Sequence, residues 1–144
     1  MRARVRCAAV IVTDEGILLA RHKKRGRTYW VLPGGGLEEG ETFAEGVRRE
    51  VFEETALEVN VKDLLFVHQF FPKSGPDAVV DLIYHAEIVS GNLKMGADSN
   101  LAEIRFVPLE EFRTLDFLPP IRDQILNAVA NGFHPERTDL GTSR

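Results

Sequence analysis

Apolar residues fall into short dense runs over most of the chain and take up a helical spacing at two places. The runs predict strands at about 4–12, 16–21, 29–32, 60–71, 78–89 and 103–107, with Asp14-Glu15-Gly16 turning the first pair. Phe43, Val47 and Val51 recur every four residues and predict an amphipathic helix that begins near Phe43. A second helix is predicted over about 119–131. Pro119 and Pro120 suit its first turn, Ile121, Ile125, Leu126 and Val129 form its apolar face, and Gly132 suits its end. Strands interleaved with two such helices predict an α/β fold, an α/β/α sandwich with a mixed sheet between the helices. Residues 1–133 read as one domain, and 134–144, polar and without period, as a loose tail or a partner contact.

The first helix carries more than a core-facing stripe. Thr42 and Glu45 form the Thr-x-x-Glu pattern of a capping box, which sets the helix start. Each helical residue advances about 100°, so Glu50, Glu53 and Glu54 share one face. Like charges at this spacing cost a few tenths of a kcal/mol per pair. A hard divalent cation relieves that repulsion, and ligands that are all oxygen suit Mg²⁺ or Mn²⁺. Charged helix faces are ordinarily just solvated. Here the adjacent apolar stripe would dock on a core and hold the carboxylates rigid. Gly46 lies on the acidic stripe one turn before Glu50, where glycine costs roughly 1 kcal/mol relative to alanine. The missing side chain leaves room for a ligand or metal, or for a close helix–strand contact.

These residues resemble the signature of the Nudix hydrolase family: Gly, five residues, Glu, seven residues, then Arg-Glu-apolar-x-Glu-Glu-x-Gly-apolar. The chain has Gly35, Glu41 and Arg49-Glu50-Val51-Phe52-Glu53-Glu54-Thr55-Ala56-Leu57. Only Ala56 departs, standing where the family has glycine. Glycine there supplies a left-handed cap, which alanine adopts at a cost of roughly 1 kcal/mol. The likeness extends to Tyr29 through Gly36 before the box and to Glu103 through Phe112 after it, spanning about residues 5–130. It implies metal-dependent cleavage of a pyrophosphate linkage in a nucleoside diphosphate derivative. It also implies Glu50, Glu53 and Glu54 as metal ligands, with Glu53 among the catalytic groups. Arg49 would orient the carboxylates, with Glu41 as a second partner; a plain capping or salt-bridge role is the alternative for both. An additional acid beyond the box often serves this family as general base or ligand. Glu103 matches that pattern better than Asp98, although a surface acid at a strand start reads the same way.

The loop Gly34-Gly35-Gly36 lets the backbone approach a phosphate or turn sharply into the metal site. It lacks the Gly-Lys-Ser/Thr ending of a P-loop and the spacing of a dinucleotide fingerprint. Arg21, His22, Lys23, Lys24, Arg25 and Arg27 form a basic cluster that either attracts phosphates or caps a solvated hairpin, and Arg21 is the best placed of them to bind substrate. His68, His85 and His134 have no metal-ligand spacing and read as strand or surface residues.

Composition narrows the partners. The 144 residues are 44% hydrophobic and 28% charged, with net charge −4, which argues against polymeric nucleic acid but is compatible with a small anionic substrate, such as the small nucleotide the resemblance implies. Cys7 is the only cysteine, so no intrachain disulfide can form, compatible with a reducing cytoplasm. The apolar run Cys7 to Val12 is too short for a signal core or a membrane span. A cytoplasmic location is expected, and a homodimer is left open. The family's ADP-ribose hydrolases are often associated with a proline about fifteen residues past the box, where this chain has Pro72; a strand ending in a turn accounts for it as well. ADP-ribose or another nucleotide sugar therefore leads over nucleoside triphosphates, oxidised ones included. A nucleotide sensor without catalysis is the reading from another class; it would lack metal carboxylates or add a DNA-binding extension, neither of which this chain shows.

Overall fold

Two sheets form from the strand-forming runs. The structure is a computed structural model that describes residues 1–143. The first sheet orders β5 (Gly34–Gly36), β1 (Ala3–Val10), β7 (Ala78–Ser90), β6 (Glu58–Phe70) and β9 (Asp139–Ser143). It is mixed: β1 runs parallel to β7 and β6 parallel to β9, while the β5–β1 and β6–β7 pairs are antiparallel. The second sheet is antiparallel, with β3 (Gly16–Lys24) between β4 (Arg27–Val31) and β8 (Leu101–Val107) and the short β2 (Val12–Thr13) also on β3.

Alternation along β1 sends successive side chains to opposite faces of the mixed sheet. Cys7, Ala9 and Ile11 join Val47 and Val51 of α1 (Phe43–Thr55), with Leu82 and Ala86 of β7. Val10 faces the other way, with Ile83, Phe66, the second sheet's Ile17 and Leu19, and Ile125 and Ala128 of α3 (Arg122–Ala130). The mixed sheet thus lies between α1 and α3, as expected of an α/β/α sandwich, but β3, β4 and β8 have left it to pair among themselves.

Several local expectations need correction. Phe43 is 47% exposed, so the docked stripe of α1 narrows to Val47 and Val51. Pro119 and Pro120 precede α3, whose N-cap is Ile121, and Leu126 and Val129 are only partly buried. A four-residue helix, α2 (Leu109–Phe112), follows β8 and buries Phe112. The segment expected to be a loose tail carries β9 on the edge of β6: Val67 N–H donates to Thr138 O at 2.8 Å, and Leu140 packs on the core. Edge strands leave main-chain donors unpaired, which polarity patterns do not reveal. No helix among the described residues is long and apolar enough to cross a membrane.

Candidate active site

Helix α1 delivers its acidic face into a cleft of about 660 Å³ between the two sheets. The capping box forms as its sequence dictates: Thr42 Oγ1 accepts from Glu45 N–H at 3.2 Å, and Glu45 accepts from Thr42 N–H at 3.1 Å. The helix ends on Ala56 at φ 62°, the left-handed cap in which the signature prefers glycine. Between these ends Arg49 organises the acids. Its Nε and Nη2 donate to the two oxygens of Glu41 at 2.6 and 2.9 Å, a bidentate pair, and Nη2 also donates to Gly36 O at 2.9 Å. Nη1 donates to Glu50 at 2.8 Å and reaches Glu53 at 3.3 Å. The Arg49 hydrogen bond and the Glu38 N–H hold the Glu41 carboxyl down at about 2, and the same carboxylates push the Arg49 guanidinium upward.

Glu50 and Glu54 are turned inward and Glu53 outward, with side-chain exposures of 15%, 9% and 55%. Burial pushes the Glu50 carboxyl up against the pull of the Arg49 hydrogen bond, and the Glu54 and Glu53 charges push it further. The glycine loop is shaped around these acids. A Cβ on Gly35 would stand 2.5 Å from the Glu50 carboxylate, and Gly34 N–H donates to Glu54 Oε1 at 2.8 Å. Among the described residues, Glu50 Oε2 and Glu54 Oε2 receive no hydrogen bond, and no three acidic, cysteine or histidine side chains already stand as a metal cage. The donor set fits a hard divalent ion: two inward carboxylates with open oxygens, a third, exposed carboxylate on the same helix face, and a glycine cradle beside them.

Of the other expected site residues, the structure brings some together and separates others. Gly34, Gly35 and Gly36 line the cleft, as does Asp98, but Arg21 and Glu103 do not. They bond to each other instead, Arg21 Nε donating to Glu103 Oε1 at 3.1 Å, beside Arg105 and over the Trp30 ring. Strand alternation is the reason. Arg21 and His22 are neighbours in β3 and point to opposite faces, so the basic cluster sends His22 and Lys24 into the cleft and Arg21 away from it. Asp98 reaches the cleft because its loop folds over the end of α1, where Gly96 N–H donates to Glu54 O at 3.0 Å. A Cβ on Gly96 would lie 2.0 Å from Glu53 O, so only glycine permits that approach. Gly46 leaves no room for a metal; Leu37 Cδ1 lies 2.7 Å from where its Cβ would be, and the Glu41 carboxylate 3.2 Å.

The sequence reading missed Arg4, Arg6 and Asp81, which form part of the cleft floor. Asp81 is 4% exposed; it accepts from Arg6 Nη1 at 3.3 Å and lies 3.4 Å from Nδ1 of His68, a strand residue as expected and a buried one. The Arg4-Val5-Arg6-Cys7 alternation marks a strand with one polar face, a signal that could have found the two arginines. Phe70 and Phe71 line the cleft with Pro72, whereas Trp30 and Tyr84 pack in the cores.

Comparison with known proteins gives a consistent picture. The family profile described as the NUDIX domain matches residues 3–129. An ADP-ribose pyrophosphatase of Methanocaldococcus jannaschii is 37% identical over 95 residues, 65% of this chain and 56% of that protein. The nucleoside triphosphatase NudI of an Enterobacter is 34% identical over 94 residues, 60% of this chain and 67% of that protein. The solved structure of a NUDIX hydrolase from Nitrosomonas europaea shares the fold, with a TM-score of 0.79 at 24% identity over 94% of each chain. The chain spans only about half the length of several curated relatives it matches.

Proposed function

The chain belongs to the Nudix hydrolase family, and from that membership we propose that it hydrolyses a pyrophosphate bond in a nucleoside diphosphate derivative, with ADP-ribose or a related nucleotide sugar as the leading substrate class. The observation that carries this reading is the pair of inward carboxylates, Glu50 and Glu54, facing a glycine loop across a cleft large enough for a nucleotide. A divalent ion of the Mg²⁺ or Mn²⁺ type, held by Glu50, Glu53 and Glu54, supplies when bound the charge neutralisation and water activation that attack on a diphosphate requires.

The chain's own residues do the rest. Arg49, clamped on Glu41 and Gly36 O, fixes Glu50 and restrains Glu53. Asp98, which lines the same cleft, accepts the proton of the attacking water, a part for which Glu103 was the other candidate. Arg4, Arg6 and Lys24 place positive charge opposite the acids for the phosphate oxygens. Tyr29, Phe70 and Phe71 offer aromatic surface for a base, and Pro72 shapes the same wall. The similarity to an ADP-ribose pyrophosphatase supports the leading substrate class.

A second reading, hydrolysis of nucleoside triphosphates including oxidised ones, draws on the similarity to NudI. Products distinguish the two. The purified protein with Mg²⁺ should convert ADP-ribose to AMP and ribose 5-phosphate faster than it releases pyrophosphate from any nucleoside triphosphate. The reverse order would replace the first reading with the second, and no mononucleotide from any substrate would remove both.

A further inference from the structure

His22 brings a buried nitrogen to the acidic wall. Its Nε2 has no hydrogen-bond partner among the described residues, on a side chain only 18% exposed. A buried polar atom left unpaired loses its hydration without compensation. The nearest charged group is Glu54 Oε2 at 3.6 Å, beyond hydrogen-bond range. That oxygen is itself unpaired, since Gly34 N–H takes Oε1 of the same carboxylate. Two donors that each lie about 2.1 Å from one ion stand about 3–3.5 Å apart. The observed gap is close to that and wrong for a direct bond. His22 pairs with Tyr29 in the β3–β4 register, and the two rings lie tilted with 6.1 Å between centroids.

We propose that His22 is a ligand of the divalent ion, its Nε2 lone pair joining the open oxygen of Glu54 on the side of the site away from Glu53. The proposal rests on the metal-dependent reading above and adds a donor from outside the helix that carries the carboxylates. An imidazole in an oxygen shell changes which ion the site prefers. Oxygen-only sites suit Mg²⁺, and a nitrogen donor moves affinity toward Mn²⁺, Co²⁺ and Zn²⁺.

Pulsed electron paramagnetic resonance of Mn²⁺ bound to the full chain tests this directly, because a coordinated imidazole modulates the echo with its nitrogen-14 coupling. The wild-type protein should show that modulation and His22→Asn should lose it, which assigns the signal among the four histidines. Titration calorimetry should also show the Mn²⁺ over Mg²⁺ preference falling at least tenfold in His22→Asn. Mn²⁺ bound to the wild type without nitrogen coupling would overturn the proposal and leave the carboxylate site standing. Failure of the wild type to bind either ion at millimolar concentration would instead remove the reading on which the proposal rests. Absence of nitrogen coupling in the wild-type spectrum overturns the proposal even if the variant folds poorly.

Discussion

Arg49 shows at the residue scale how one side chain fixes a site. Its planar fork spans Glu41, Gly36 O and Glu50 together, a geometry that lysine cannot reproduce. Arg49→Lys should therefore lower turnover about 10- to 100-fold while the chain stays folded, measured by steady-state kinetics alongside circular dichroism. Glu53→Gln should keep the fold and lower turnover by about two orders of magnitude or more, and near-normal activity in that variant would contradict its assignment as a metal ligand. Glu41 carries a pH signature. Its carboxyl titrates lower in the folded chain, at about 2, than its ordinary value of 4.5. The Arg49 contact thus stabilises fully above that ordinary value and fades as pH falls toward the folded one. The gap in thermal midpoint between wild type and Glu41→Gln should narrow over that acid window.

Single positions at element ends matter as much as whole elements. Helix α1 closes on an alanine at φ 62°, where a Cβ meets the following carbonyl. Ala56→Gly should stabilise the protein by about 1 kcal/mol and raise the thermal midpoint by about 2–4 °C in scanning calorimetry. The start of α1 was legible because a capping box is local chemistry, and so was its acidic face, because helical geometry repeats. The exposure of Phe43 was not, since periodicity does not tell which turn overhangs the sheet. Strand β9 is the opposite case. It has no apolar pattern, and only its place beside the open edge of β6 makes it a strand. Truncation after Gly132 should lower the thermal midpoint and expose that edge, so gel filtration should show concentration-dependent association that the full chain does not share.

Over the whole molecule, the cleft exists because the chain divides its strands between two sheets. Acids arrive on one wall from α1, and bases arrive on the floor from β1, so an anionic ligand meets both signs of charge. The amino-acid sequence by itself determined the family, the helix that holds Glu50, Glu53 and Glu54, the glycine loop before it and the α/β class, because each is encoded in spacing over a few turns or strands. Only the tertiary structure decided that Asp98, not Glu103, lines the cleft with those acids, that His22 and not Arg21 turns inward, and that Arg4, Arg6 and Asp81 also line it. In a strand the side a residue faces flips with each step. Which face becomes the inside is settled by the packing of distant segments, and no local pattern carries that information.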